Sequence, residues 1–236
     1  MLSSLEHNLV NERKFAGSIT CLPQALSILE ARCAPDDWFA TGVVNSIYFD
    51  TPGLGAYWEK ANGDNIKTKI RIRWYGSESE LPEEVPVFIE VKGRLGSARN
   101  KVRTETKAPR TLVASTPFEG DELPDFLATQ SGALGVPISR DWRPVCCITY
   151  NRRRYFDTPS MSRVSIDWNI RADRFNHVVF PWAQPVALDK MVCEFKNQGG
   201  APPPWAEHML AAGLRFGSFS KYGECMEQLK TGGPNP

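Results

Sequence analysis

Lys67, Lys69, Arg71 and Arg73 occupy alternate positions of the segment Lys67-Thr68-Lys69-Ile70-Arg71-Ile72-Arg73-Trp74. On an extended chain successive side chains point to opposite faces, so the four cations share one face while Ile70, Ile72 and Trp74 share the other. Six further segments repeat the design: Glu12 with Lys14, Glu90 with Lys92, Lys101 with Arg103 and Glu105, Arg152 with Arg154, Arg163 with Ser165 and Asp167, and Glu194 with Lys196. Solvation of the charged face would explain any one of them. Like charges about 5 Å apart repel by about 3 kcal/mol at an effective dielectric near 20, so faces that gather mainly cations call for an anion. Arginine suits bidentate contact with phosphate oxygens, and lysine adds movable point charges. The interleaved glutamates offer oxygen ligands to a hard divalent ion. Polyphosphate or a nucleoside triphosphate tail fits such a surface.

The elements that must carry these residues are strands. Period-2 alternation broken by Gly, Pro and polar turns predicts strands near Asn8–Ala16, Thr41–Asp50, Asn65–Tyr75, Val85–Arg94, Lys101–Lys107, Pro144–Phe156, Arg163–Asp173 and Ala187–Asn197. Helical patterns cover Pro23–Cys33, Ala56–Lys60, Glu122–Gln130, Pro204–Ala212 and Ser220–Lys230. Ser77–Pro86 reads as a hairpin excursion, and no linker divides the chain, so residues 1–236 are expected to form one domain. The fold class is α+β, mainly β. Eight such strands closed into an antiparallel barrel would turn the charged faces into an ionic lumen, where ordinary small barrels are filled with apolar side chains. Alternation puts Arg152 and Arg154 inside and Arg153 outside. Tyr48 and Asp50 are expected to fix the strand end before Pro52, and Trp38, Trp58, Trp142 and Trp205 to serve packing.

Composition removes competing chemistries. The 236 residues carry 28 Lys+Arg against 27 Asp+Glu, a net charge of +1, which argues against a generally basic nucleic-acid binder. Three histidines without an HExxH pair disfavour zinc hydrolysis and His-dependent triads, and there is neither a GxxxxGK[ST] loop nor a GxGxxG after a strand. Six cysteines without CxxC spacing are expected to be reduced core thiols. No apolar run reaches the roughly 18 residues of a membrane helix, and Met1–Asn11 lacks the basic start and apolar stretch of a signal peptide. A cytoplasmic protein is expected.

The ordered succession ERKF, SIYFDTP followed by AYxxK, KIRIRWYG, VFIEVKGR, Asn100-Lys101-Val102-Arg103, Tyr150-Asn151-Arg152, RVSID, CEFK and Ser220-Lys221-Tyr222 resembles the VTC domain, from about Asn8 to about Lys230. That domain is the polyphosphate polymerase module of the vacuolar transporter chaperone complex, among the triphosphate tunnel metalloenzymes. The resemblance implies an eight-stranded antiparallel tunnel that transfers the γ-phosphate of ATP to phosphate or polyphosphate with Mn²⁺ or Mg²⁺. By motif, Arg71 and Arg73 would hold the triphosphate, with Lys14, Lys92 and Lys101 lining the cavity and Tyr150, Arg152 and Arg163 on the next wall. Glu194 would be the principal metal ligand, assisted by Glu12, and Ser220 and Lys221 would close on the phosphates from a helix start. Lys69 and Lys196 extend the same rows, and Arg71, Arg73, Lys221 and Glu194 form the expected catalytic set.

The first strand carries Val10 where the hydrolytic CYTH branch has the first Glu of ExExK, which favours the VTC branch. The phosphate-sensing domain and membrane segment of the eukaryotic complexes are absent from this sequence, so an isolated catalytic domain is expected. Three classes follow: a polymerase, a triphosphatase using the same tunnel, or a non-catalytic polyphosphate-binding module.

Overall fold

A computed structural model describes residues 11–62, 66–95, 98–136, 138–198 and 202–232. The strands are β1 (Asn11–Gly17), β2 (Ala34–Pro35), β3 (Thr41–Asp50), β4 (Ile66–Tyr75), β5 (Glu84–Leu95), β6 (Ala98–Pro109), β7 (Arg143–Asp157), β8 (Ser162–Phe175), β9 (Val186–Ala187), β10 (Met191–Asn197) and β11 (Arg215–Phe216). The helices are α1 (Leu22–Arg32), α2 (Gly55–Ala61), α3 (Arg110–Ala114), α4 (Glu122–Leu134), α5 (His208–Ala211) and α6 (Lys221–Thr231). All eight long strands expected from alternation are present. The fold is mainly antiparallel β.

The expected closure is not seen among the described residues. Hydrogen bonding orders the strands β11-β1-β10-β8-β7-β3-β4-β5-β6, with β2 beside β7 and β9 beside β8, and this path has two ends. The additional strands β2, β9 and β11 are two residues each, too short to show a period. Ala187–Lys190 leaves the long strand expected at Ala187–Asn197, whose regular part is Met191–Asn197. Residues 8–10 of the first expected strand, Val10 included, lie outside the described residues. The expected helix at Pro204–Ala212 divides into a 3-10 turn, Pro204–Glu207, and α5. The short α3, at the end of β6, had no periodic signal.

The chain forms two compact units. One comprises residues up to Gly42, Asn151–Asn169 and Asp189–Phe219; the other comprises Val43–Tyr150, Ile170–Leu188 and residues from Ser220 onward. In the first, Phe15, Val164, Ile166, Cys193 and Phe195 pack with Ala25 and Leu29 of α1 and with Met209. In the second, Ile47, Phe49, Ile70, Ile72, Trp74, Val87 and Ile89 pack against Leu123, Leu127 and Leu134 of α4. Burying each such side chain stabilises by about 1.5–3 kcal/mol, which holds every strand's apolar face inward and so fixes which face carries the charges. Gly135, with φ 64°, ends α4 in the left-handed conformation that glycine tolerates best.

The six cysteines are free, and five of them are buried, in line with the expected core thiols. Burial raises the pKa of Cys146, of Cys147 to about 11, of Cys193, and of Cys33 and Cys225 to about 12, leaving these thiols protonated and unreactive. The expectation for tryptophan is met only in part. Trp142 and Trp205 pack on the cores, but Trp38 is 86% exposed, in a turn whose Asp36 carboxylate accepts the N–H groups of Trp38 and Phe39. Trp58 is also exposed and lies under the Lys230 ammonium. No helix among the described residues is long and apolar enough to cross a membrane.

Candidate functional site

In the second unit the cationic faces of β4, β5 and β6 come into register. Lys69 stands opposite Lys92, and Lys92 opposite Lys101, a row of three lysines across three strands. Directly opposed like charges destabilise a sheet. One step along, Arg71 faces Glu90 on β5 and Tyr48 on β3; one step further, Arg73 faces Ser46. Lys67 precedes this row on β4, and its side chain lies outside the described residues.

Glu90, buried at 3% exposure, organises this surface. Its carboxylate accepts from Arg71 Nε at 2.6 Å and pairs with Arg71 Nη2, with Lys101 Nζ at 3.1 Å and with Arg73 Nη1 at 3.9 Å. Burial alone would raise the Glu90 pKa; the charges of Arg71, Arg73 and Lys101 overcome it and hold the carboxyl well below the usual range. Burial would likewise lower the Arg71 pKa, but Tyr48, Glu90 and Tyr150 raise it, so the guanidinium stays charged. Arg71 also donates to Tyr48 Oη at 2.9 Å, while Arg73 donates to Ser46 Oγ at 3.1 Å and to Tyr150 Oη at 3.2 Å.

The start of α6 completes the cluster. Ser220 caps the helix, accepting the Gly223 N–H at 3.1 Å, and its Oγ also accepts from Lys69 Nζ at 3.2 Å. Lys221, buried, places its ammonium 4.7 Å from the centre of the Tyr150 ring. The next residue, Tyr222, stacks on Tyr48 at 4.9 Å and donates to Asp50 Oδ2 at 2.7 Å. Asp50 also accepts the N–H groups of Thr51, Ala56 and Tyr57, which ties the end of β3 to the start of α2, the structural part expected of it. Tyr48 departs from that expectation. Its hydroxyl aims Arg71, a role readable from the alternation of Ser46, Tyr48 and Asp50 along one face.

The first unit holds a different arrangement. Across β1 and β10, Glu12 faces Lys196 and Lys14 faces Glu194. Lys14 Nζ lies 2.9 Å from Glu12 and 3.3 Å from Glu194, and donates to the Phe219 carbonyl at 3.0 Å; Lys196 lies 3.1 Å from Glu194 and 3.8 Å from Glu12. Burial and the Glu194 charge push the Glu12 pKa up, but Lys196 and Lys14 together hold it lowered. Burial lowers the Lys14 pKa, and the two glutamates more than reverse this. Arg152, expected on a phosphate-binding wall, forms a fork with the fully buried Asp167 at 2.6 and 2.7 Å, so both its Nε and Nη2 are engaged by a carboxylate of the protein. Arg163 sits opposite Lys196 and is exposed. Arg154, expected inward, donates to the Phe39 carbonyl at 3.0 Å, while Arg153 points outward, as expected, and there pairs with Glu30.

Thus Lys69, Arg71, Arg73, Lys92, Lys101, Tyr150, Ser220 and Lys221 belong to the second unit, and Glu12, Lys14, Arg152, Arg163, Glu194 and Lys196 to the first.

A model of the VTC domain matches residues 10–230. The chain belongs to the VTC-domain family. Membership supports a polyphosphate-related or triphosphate-binding function and a dependence on divalent metal. Solved structures similar to this VTC domain include a candidate adenylate cyclase from Bacillus halodurans (13% identity, 95% of this chain and 92% of that one, TM-score 0.44). Another candidate adenylate cyclase, from Vibrio parahaemolyticus, has 12% identity over 92% and 97% with a TM-score of 0.45. A conserved hypothetical protein from Pyrococcus furiosus has 10% identity over 87% and 92% with a TM-score of 0.40. Likeness at this level bears on neither substrate nor reaction.

The donor set fits a divalent ion of the Mg²⁺ type. Glu12 and Glu194 are adjacent oxygen donors sharing both lysines, and among the described residues no group of three or more His, Cys, Asp and Glu side chains forms a protein cage. One or two carboxylates completed by phosphate oxygens and water is how such ions are commonly held at phosphate sites.

Proposed function

We propose that this VTC domain is an ATP-dependent polyphosphate polymerase, acting in the cytoplasm as one domain over residues 1–236 in the tunnel arrangement that its family resemblance implies. The observation that carries the reading is the Lys69–Lys92–Lys101 row beside Arg71 and Arg73, with Glu90 as the buried carboxylate that orients them. Such a surface lowers its own electrostatic energy by taking up an anion with several charges. ATP and inorganic polyphosphate are the substrates; no nucleic acid is involved.

In the reaction a terminal oxygen of the acceptor phosphate attacks the γ-phosphorus of ATP, the bond from that phosphorus to the β–γ bridging oxygen breaks, and ADP leaves. Phosphoryl transfer asks for positioning and charge neutralisation more than for covalent participation of the protein. Arg71 and Arg73 are pre-oriented by Glu90, Tyr48, Ser46 and Tyr150, so they need little rearrangement to face the transferred group. Lys221 and Ser220 would contact phosphate oxygens from the positive end of α6; the family resemblance assigns Lys14, Lys196, Arg152 and Arg163 to the phosphate path as well. Glu194 and Glu12 would hold Mn²⁺ or Mg²⁺, which when bound neutralises charge on the phosphate oxygens.

A triphosphatase would use the same cations, with water replacing the acceptor. Incubation with ATP and Mn²⁺ followed by electrophoresis that resolves long phosphate chains decides. A ladder supports the polymerase, free phosphate alone the triphosphatase, and neither product a binding module.

A further inference from the structure

The charged face of β4, β5 and β6 continues past the arginines into a different surface. Phe88, directly opposite Arg73, alternates with Val87 and Ile89, which are fully buried in the core, so its ring emerges on the face that carries Glu90. Tyr75 follows Arg73 by two residues and packs edge-on to Phe88 at 5.8 Å, with 41% of its surface exposed. Arg103 stands opposite Glu90, yet its guanidinium lies 3.7 Å from the centre of the Phe88 ring. The Glu90 carboxylate is engaged by Arg71, Arg73 and Lys101, and the Arg103 guanidinium lies over the neighbouring ring. A guanidinium resting over an aromatic ring is partly pre-organised before any ligand arrives, and Arg103 itself is exposed.

We propose that Phe88, Arg103 and Tyr75 form a stacking platform for the nucleobase of a nucleoside triphosphate whose phosphates occupy the adjacent cations, an inference that rests on the phosphate-binding reading above. Bases stack on aromatic rings and on arginine planes, and they do so with little regard to base identity because each has a π-face. The reach is suitable. At about 3.3 Å per residue, Tyr75 lies ~7 Å beyond Arg73 and ~13 Å beyond Arg71 along β4, a distance that a ribose and the inner phosphates can span. The platform gives the surface a means to distinguish a nucleotide from a bare phosphate chain, which the lysine row lacks. A polymerase needs that distinction to tell its donor from its product.

The test is calorimetric titration of the full chain with Mg-ATP and, separately, with inorganic tripolyphosphate. Phe88→Leu keeps the apolar volume and removes the π-face; it is expected to raise the Kd for ATP on the order of tenfold and to leave that for tripolyphosphate unchanged. Tyr75→Ser, at an exposed ring, should act in the same direction with a smaller effect, and it carries the test if thermal unfolding shows that Phe88→Leu has lost the fold. Equal weakening of both ligands, or no change for ATP, would overturn the platform and leave the phosphate reading in place. A wild-type protein that binds neither ligand overturns both.

Discussion

The two charge clusters are built from the same residue types on the same kind of strand face, and they balance oppositely. In the first unit Glu12, Glu194 and Asp167 meet Lys14, Lys196 and Arg152, three carboxylates for three cations, and most of the hydrogen-bonding capacity is used internally. In the second unit Arg71, Arg73 and Lys101 share the one carboxylate of Glu90, Lys69 and Lys92 stand in a row with Lys101, and Lys69 reaches Ser220. Alternation of charged residues therefore does not by itself mark an anion site. What distinguishes the two is whether the opposing strand supplies the counter-charge at each step: in β4–β6 Glu90 does so for Arg71, but the Lys69, Lys92 and Lys101 row sets lysine against lysine.

The largest expected effect breaks the second cluster. Arg73→Ala should lower turnover by about 100-fold, the scale of losing one fixed donor to a developing charge, while the unfolding transition stays cooperative because Arg71 and Lys101 still neutralise Glu90. Full activity in that variant would take Arg73 out of the site. Next, Glu90→Gln leaves Arg71 and Arg73 without their buried counter-charge and should cost about 3 kcal/mol of unfolding free energy. Millimolar tripolyphosphate should restore a larger part of the denaturation midpoint in this variant than in the wild type. Loss without such rescue would mean that the second cluster is structural.

Glu194→Gln should shift the Mg²⁺ or Mn²⁺ titration of activity to roughly tenfold higher metal, and an unchanged titration would place the ion elsewhere. A smaller effect sharpens the comparison by pH. The folded-state pKa of Glu12 is lowered, so its stabilisation is complete above the ordinary carboxylate range and is lost as pH falls through the depressed value. The difference in Tm between wild type and Glu12→Gln should accordingly be constant near neutral pH and shrink as pH drops below about 4. A difference that grows toward acid would reverse the assigned sign. Smallest of all, Tyr222→Phe removes one hydrogen bond to an Asp50 that keeps three backbone donors, a loss of about 1 kcal/mol.

Much of this protein was legible from local pattern. The eight long strands followed from period-2 alternation because burying the apolar face dominates the energetics of each strand separately, and the order of short motifs gave the VTC family. The same alternation placed Arg71, Arg73 and Lys69 on one face and Arg153 on the other. The partners were not legible. Nothing in RVSID or TYNRRRYF says that Asp167 takes both ends of the Arg152 fork, or that Glu90 is shared among three cations while Arg103 turns to Phe88. Those outcomes depend on strand order and register, which bring together residues distant in the chain and let one carboxylate be claimed by several cations at once. The sequence by itself therefore determined which residues are charged and which way each strand faces. The tertiary structure alone decided which of those charges cancel, since cancellation is set by distances across strands that no local period encodes.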